Sequence, residues 1–294
     1  MSEALFLLAD DRAVLRVAGP DARGFLQGLV SNDVTRATAE RAIYAALLTP
    51  QGKFLHDFFI LERDGALCLD GEAARLADLQ RRLSLYKLRS KVTIAPAPEL
   101  AVALLHGDEA VARLGLPAEP GAARAIGDAT VFVDPRLDEL GARAILPREG
   151  AAATLSGLGF AAGTVAGYER RRLAAGVPDG SRDLPVEKAI LLENGFDELH
   201  GVDWQKGCYM GQELTARTKY RGLIRKRLLP VAIEGPVPPA GTPVMAGDKE
   251  AGEMRSAAGD RGLAMLRLDS LGGGVELRAG EARLTPHRPE WARF

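Results

Sequence analysis

Cysteine is scarce in this chain: Cys68 and Cys208 are the two cysteines among 294 residues. They lie too far apart in sequence to match a zinc-binding spacing, and small secreted domains usually carry more cysteines in paired sets. A reducing compartment is therefore indicated. The apolar stretch at the amino terminus is interrupted by acidic residues and follows no basic segment, so we expect no signal peptide and a cytoplasmic location.

Long uncharged apolar runs are also missing. No run reaches the roughly 18–20 residues that a helix needs to cross a bilayer, so we expect no membrane partner. The chain also lacks an excess of either charge, with a net charge of -1 at pH 7. Global attraction to nucleic acid or anionic lipid is thereby excluded, and RNA binding would require a local basic patch.

What the chain does contain is an ordinary globular composition, with 47% hydrophobic and 26% charged residues. Its length suits two or three packed units. Strand and helix patterns mix without strict alternation up to about residue 226, which predicts α+β layers opening with a hairpin of residues 5–8 and 13–17. A second hairpin is predicted from residues 54–61 and 66–69 around Asp64 and Gly65. After Pro230, short strands between Pro- and Gly-rich turns predict a small β-barrel. The predicted strands are 231–233, 242–245, 262–268 and 275–278.

The most specific feature is the segment Lys206 to Glu213, which surrounds the second cysteine. Gly207 lets the backbone approach a ligand closely, and Lys206 would favour the thiolate form of Cys208. A cysteine elsewhere would more often be a small buried hydrophobe. The flanking glycine, lysine, glutamine and glutamate favour a reactive residue here.

This segment, KGCYMGQE, resembles the signature of the YgfZ-type folate-binding proteins, a branch of the glycine-cleavage T-protein superfamily. Four further segments agree with that resemblance: GPDARGFLQGLVSNDV at 19–34, LLTPQGKF at 47–54, ENGFDELHGVDWQKGC at 193–208 and RTKYRGLIRKRLLPV at 217–231. The last sixty or so residues match only by position and strand pattern.

The resemblance implies an α+β protein of three domains arranged in a ring. Residues 1–97 and 160–226 would form the T-protein-like folate-binding region, residues 98–159 a ferredoxin-like middle lobe, and residues 227–294 the carboxyl-terminal β-barrel. It also implies binding of tetrahydrofolate and a role in assembling or maintaining iron–sulfur proteins. Through an iron–sulfur enzyme, that role would affect tRNA modification indirectly. The expected partners are folate and iron–sulfur client or assembly proteins.

The resemblance places the family's reactive cysteine on Cys208, with Lys206, Gly207 and Gln212 around it. Glu213 would contact the pterin or Lys206, or it would only stabilise the helix that starts there. The family's folate-associated aromatic positions fall on Arg12 and Tyr168, so one of the two is no longer aromatic.

The run from Arg217 to Arg227 places six positive charges within eleven residues. Arg217 and Arg225 would hold the anionic tail of folate; the alternatives are an acidic protein partner, an RNA backbone, or a solvated surface. Because the chain as a whole is not basic, extended RNA is disfavoured. A second run, 170–172, is predicted to be spread around a helix and solvated.

A folate-dependent aminomethyltransferase is the alternative function. The T-protein's catalytic aspartate aligns with His56, and Asp57 follows one residue later, on the opposite face of a strand. Transfer chemistry is therefore disfavoured, and whether the protein is an enzyme stays open. His56 is either an acid–base residue or a structural histidine. No set of residues has a metal-ligand spacing, so no metal site is expected.

Overall fold

A computed structural model describes residues 4–222, 224–272 and 275–293. The chain divides into two compact units. Unit 1 takes Met1–Leu48, Leu55–Thr164 and Leu199–Met210, and unit 2 takes Thr49–Phe54, Val165–Glu198 and Gly211–Phe294.

Strands dominate the secondary structure. In chain order the strands are β1 (Leu5–Leu8), β2 (Arg12–Ala18), β3 (Ile43–Leu48), β4 (Phe54–Arg63), β5 (Ala66–Glu72), β6 (Thr93–Pro96), β7 (Leu100–His106), β8 (Ala123–Ile126), β9 (Ala129–Val133), β10 (Ala142–Pro147), β11 (Ala161–Ala162), β12 (Lys226–Glu234), β13 (Pro243–Ala246), β14 (Lys249–Ala258), β15 (Arg261–Arg267), β16 (Leu277–Ala279) and β17 (Ala282–Pro286). The α-helices are α1 (Ala22–Gln27), α2 (Leu76–Leu85), α3 (Ala110–Arg113), α4 (Ala151–Gly157), α5 (Val165–Ala175), α6 (Gly180–Asp183) and α7 (Gln212–Tyr220).

Unit 1 contains a six-stranded sheet in the order β11-β1-β7-β10-β9-β8. Helices α3 and α4 contribute Ala110 and Leu155 to the core on this sheet. Strand β1 pairs antiparallel with β7, from Leu5 opposite His106 to Leu8 opposite Ala103. The predicted opening hairpin is therefore wrong: β1 and β2 lie in different sheets, because β1 finds its partner about 95 residues later in the chain.

The second sheet of unit 1 has the order β3-β4-β5-β2-β6. Strands β4 and β5 form the predicted hairpin, with Arg63 opposite Ala66 across Asp64 and Gly65. The first eight residues of β4 are buried. Such a strand shows no polar–apolar alternation, because both of its faces are covered.

A network of buried charges lies in unit 1. Arg12 donates from Nε to Oδ1 of Asp70 at 2.7 Å, and Arg143 donates from Nη2 to the other oxygen at 2.7 Å. Arg136 binds both oxygens of Asp134 at 2.9 and 2.8 Å. Each of these carboxylates is 0–1% exposed and therefore depends on its arginines for charge compensation.

Unit 2 is built on a closed barrel with the strand order β12-β15-β14-β13-β16-β17. The α+β class and the carboxyl-terminal barrel predicted from the sequence are confirmed. Strands β14 and β17 were not predicted. Helix α5 packs on the barrel through Leu173, which meets Leu228, Leu263 and Met265.

Helix α5 also corrects the prediction for residues 170–172. Arg172 is 1% exposed and binds Glu169 from Nη2 at 2.9 Å and Asp183 from Nη1 at 2.7 Å. It also donates to the carbonyl of Val177 at 2.8 Å. One member of the run is thus buried, because two acidic residues on α5 and α6 compensate its charge. The proposed boundaries of the three domains stay a prediction.

Candidate functional site

Cys208 lies on an exposed stretch of the segment 199–210, here called the signature loop. Its side chain is exposed, whereas that of the next residue, Tyr209, is buried. Gly207 adopts a φ of 89°, a conformation that residues with a Cβ rarely take. The glycine therefore allows the turn that presents the thiol to solvent while the tyrosine anchors the chain behind it.

The signature loop is held by the short segment that follows helix α1. Ser31 donates from Oγ to the carbonyl of Gly201 at 2.6 Å, and Asn32 donates from Nδ2 to the carbonyl of His200 at 2.7 Å. The backbone N–H of Met210 donates to the carbonyl of Gly28 at 3.0 Å. The segment 19–34 thus meets residues 199–210 within unit 1 across about 170 residues of chain.

Lys206 fastens the same loop with its side chain. Its Nζ donates to the carbonyls of Gln27 at 2.7 Å and Val30 at 2.6 Å, and it lies 5.0 Å from the centre of the Tyr209 ring. Burial lowers the pKa of Lys206 to about 8, although Asp33 opposes this shift. Two hydrogen bonds of the ammonium are thus made to backbone carbonyls at the end of α1 and just after it. Its predicted effect on the Cys208 thiolate stays a prediction.

The two thiols of the chain have opposite environments. Cys68 is fully buried on β5, and burial raises its pKa to about 11. We expect iodoacetamide at pH 8 to label Cys208 in the folded protein and to leave Cys68 unmodified, because the thiolate is the reactive form. Peptide mass spectrometry would measure both. In urea, Cys68 should become labelled as well; equal labelling of both in the folded protein would contradict these environments.

His56 and Asp57 point to opposite sides of β4. Nε2 of His56 lies 2.9 Å from Oδ2 of Asp78, while Oδ2 of Asp57 accepts a hydrogen bond from Tyr44 at 2.7 Å. Both residues are buried. Burial, with a smaller contribution from Arg75, lowers the pKa of His56 to about 4. The imidazole is therefore neutral at pH 7 and is held inside unit 1 by a carboxylate.

Arg12 has a structural environment as well. It is buried, and its charge is compensated by Asp70. Its charge partner is on the neighbouring strand β5, and the predicted loss of a family aromatic residue at this position stays a prediction.

The other candidate residues lie in unit 2. Tyr168 is buried on α5, and Gln212 and Glu213 are the first two residues of α7. Arg217 is exposed on the same helix, and Arg225 is exposed just before β12. The unit also brings residues 49–54 close to the start of α7: a Cβ on Gly52 would lie 2.6 Å from the carbonyl of Gly211.

Some cations of the basic run 217–227 form ion pairs with acidic residues, and others are exposed without such a pair. Lys219 forms an ion pair with Asp197, and Arg227 binds Glu198 at 2.8 Å with both side chains nearly buried. Arg217 and Arg225, like Arg221 and Lys226, are exposed, and no described residue forms an ion pair or side-chain hydrogen bond with them. An anionic ligand can therefore be bound without breaking an existing pair.

The described residues contain neither a cluster of metal-ligand side chains nor a membrane-spanning helix. Among residues 4–222, 224–272 and 275–293, no three histidine, cysteine or acidic side chains come together as potential metal ligands. Within the same described ranges, no helix combines the length and apolar character of a membrane span.

The fold is that of the glycine-cleavage T-protein. The chain superimposes on the glycine cleavage system aminomethyltransferase T from Bartonella henselae with a TM-score of 0.80, covering 99% of this chain and 87% of the other. The two sequences are 15% identical, so this likeness concerns the fold alone. Residues 225–294 match the family model of the CAF17 carboxyl-terminal β-barrel domain.

Sequence relatives identify the family more narrowly. The iron-sulfur cluster assembly factor IBA57, mitochondrial, of Mus musculus is 37% identical over 96% of this chain and 84% of its own length. The Homo sapiens protein of the same name is also 37% identical, over 96% of this chain and 83% of its own length. The chain belongs to this IBA57 family. The narrower resemblance to YgfZ-type proteins stays a prediction.

The same relatives correct the predicted location. They are named mitochondrial, which contradicts the cytoplasmic location expected from the sequence. Few cysteines indicate a reducing compartment, but this feature does not distinguish one reducing compartment from another. A low cysteine content is thus compatible with mitochondria as well as with the cytoplasm.

Proposed function

We propose that this protein assists the assembly of iron–sulfur clusters and that the thiol of Cys208 is its reactive group. The observation that carries the proposal is an exposed cysteine on a loop whose backbone is fixed on both sides. Ser31 and Asn32 hold the chain before it, and Gly28 holds Met210 after it. The names of the family members support the same function. A thiolate is a good ligand for iron–sulfur clusters, and a fixed loop presents it with little loss of conformational freedom.

The test is complementation of a strain that lacks its own assembly factor. We expect Cys208→Ala to fail to restore growth under conditions that require iron–sulfur enzymes, with thermal unfolding unchanged because the side chain is exposed. Cys68→Ala is the matched control, since it removes the other thiol and should still complement. Full rescue by Cys208→Ala would overturn the role proposed for the thiol.

We further propose tetrahydrofolate as a ligand, held by Arg217 and Arg225 through the carboxylates of its glutamate tail. These two guanidinium groups are exposed and have no partner among the described residues, which suits an anionic tail. Tetrahydrofolate carries one-carbon units. Tyr168, Gln212 and Glu213 remain candidates for the pterin end. Direct RNA binding by the basic run is the disfavoured alternative, and an effect on tRNA modification would be indirect.

Isothermal titration with tetrahydrofolate tests the ligand. We expect the double variant Arg217→Ala/Arg225→Ala to weaken binding about tenfold or more, since each charge-assisted hydrogen bond contributes about 1.5–3 kcal/mol when formed well. Arg283→Ala, which removes an exposed barrel arginine, should leave the affinity unchanged. Absence of binding to the unaltered protein would remove folate from the proposal and leave the role of Cys208 intact.

Aminomethyl transfer is not part of the proposal, because the residues at the corresponding positions do not suit it. His56 is neutral, buried and bound to Asp78. Asp57, on the other face of the strand, is bound to Tyr44. Neither side chain is placed to stabilise a positive charge that develops on a substrate in solvent.

A further inference from the structure

A turn after helix α2 exposes three large apolar side chains. Leu85, Tyr86 and Leu88 are 64%, 40% and 89% exposed. They follow Leu76, Leu79 and Leu83, which are the buried residues of the same helix. The buried face of the helix is therefore complete without these three exposed residues. Residues 85–91 are here called the apolar turn.

The apolar turn has a fixed backbone. The N–H of Tyr86 donates to the carbonyl of Leu83 at 3.0 Å, and the N–H of Ser90 donates to the carbonyl of Lys87 at 2.8 Å. At its end, the N–H of Lys91 donates to Oδ2 of Asp21 at 2.7 Å. The tip is thus held at a defined position instead of being a loose connection.

Leu88 occupies the tip in an unfavourable conformation. Its φ is 43°, at a turn position where glycine, asparagine and aspartate are favoured. A leucine there costs local conformational energy and exposes its side chain to water, so it does not stabilise the fold. Strained residues of this kind concentrate at functional sites.

Three cations and one carboxylate lie around the tip. The carboxylate of Asp21 accepts a hydrogen bond from the backbone N–H of Lys91. The side chains of Lys87, Arg89 and Lys91 form no ion pair or hydrogen bond with a described residue. Leu88, Arg89 and Ser90, with Asp21, also line a surface hollow of about 590 Å³. The surface therefore combines an apolar anchor with an excess of positive charge, since three cations face the single carboxylate of Asp21.

We propose that the apolar turn is a docking site for a partner protein that presents an apolar face bordered by carboxylates. Leu88 inserts into that face, and Lys87, Arg89 and Lys91 pair with the acidic border. An anionic membrane surface has similar chemistry. A lipid surface, however, places no demand on the conformation of a turn, whereas a protein pocket requires the defined position that the strained Leu88 occupies. The site is independent of the function proposed for Cys208.

The test uses a fluorescent 16-residue helical peptide with a leucine face bordered by glutamates, titrated with the full-length protein. Leu88→Asn should weaken binding about tenfold or more, since the variant removes the apolar side chain whose burial drives the contact. It should not lower the thermal stability, because asparagine tolerates positive φ. Val237→Asn, which alters an exposed valine elsewhere, should leave binding unchanged.

Charge reversal makes the test specific. Arg89→Glu should weaken binding of the glutamate peptide and strengthen binding of a matched peptide in which lysines replace the glutamates. Failure of the glutamate peptide to bind, or binding that Leu88→Asn leaves intact, would overturn the proposal. Leu88-dependent binding to phosphatidylserine vesicles, without peptide binding, would assign the turn to a membrane and overturn it equally.

Discussion

Asp70→Ala is expected to destabilise unit 1 by about 3–5 kcal/mol, the usual effect of removing one partner from a buried ion pair. Asp70 is fully buried and accepts hydrogen bonds from both Arg12 and Arg143. Without it, two guanidinium groups that are at most 7% exposed lose this carboxylate, and the other acidic partner of Arg143, Asp134, lies farther away at 3.7 Å. Because domains are stable by only about 5–15 kcal/mol in total, a substantial fraction of the stability is at risk.

Urea unfolding followed by circular dichroism would measure this effect. Glu119→Ala is the matched control, since it breaks an ion pair of unit 1 whose side chains are 39% and 59% exposed. Such surface pairs contribute about 0–1 kcal/mol. An Asp70→Ala protein that unfolds at the same urea concentration as the control would show that the buried network does not stabilise the unit.

Stability is also expected to fall between pH 6.5 and pH 4 because of His56. The pKa of this histidine is about 4 in the folded protein and 6.5 ordinarily. The unfolded chain therefore takes up a proton in this range while the folded chain stays neutral, so acid favours unfolding. The loss is absent above pH 6.5 and complete below pH 4. It amounts to about 2 kcal/mol at pH 5 and about 3 kcal/mol at its limit.

The cause of the low pKa is visible around the ring. His56 is buried, and the positive charge of Arg75 opposes a second one. Asp78 does not offset these effects because it also accepts hydrogen bonds from Arg81 at 2.6 Å and Arg82 at 2.7 Å. Its negative charge is thus already shared between two cations.

Unfolding curves at pH 7 and pH 5 would test the assignment. In His56→Gln, the difference between the two values should shrink by about 2 kcal/mol, whatever the absolute stability of the variant. His287→Gln alters an exposed histidine and should retain the full difference. If the two variants respond to pH alike, the acid sensitivity belongs to other groups.

The fold was predictable mainly where the chain makes local contacts. The hairpin of β4 and β5 follows from two strand patterns around Asp64 and Gly65 and is confirmed. The pairing of β1 with β7 was missed, because nothing local to Leu5–Leu8 indicates a partner about 95 residues away. Turn residues predict which strands that are adjacent in sequence pair with each other. The order of strands in a sheet also depends on contacts between strands that are distant in sequence.

The buried networks were missed for a different reason. Asp70 lies in the apolar strand ALCLDGE and Arg143 in ARAILP. A charge inside such a strand requires a buried partner, and this signal was available in the sequence. Arg172 was assigned to the surface because three consecutive arginines resemble a solvated run. Only the positions of Glu169 and Asp183 show which of the three is buried.

For the candidate site, the sequence identified the segment around Cys208 but not the residues that hold this loop in place. Cys208 and Gly207 stood out through their neighbours. Ser31 and Asn32, which hold the loop, lie in the segment 19–34 that carries the resemblance, but the sequence predicts no function for them. The effect of Lys206 on the thiol stays a prediction, and the structure adds that its ammonium binds the carbonyls of Gln27 and Val30. Side-chain hydrogen bonds to backbone carbonyls leave no pattern in a sequence.

The role of the Cys208 thiol in iron–sulfur cluster assembly is measured most directly through the activity of an enzyme that contains such a cluster. In a strain lacking its own factor, the activity of a cluster-containing enzyme is divided by the amount of that enzyme and compared between Cys208→Ala and Cys68→Ala. We expect Cys208→Ala to leave the activity at the level of the deficient strain and Cys68→Ala to restore it. Equal restoration by both variants, at equal protein levels, would show that the Cys208 thiol is not required.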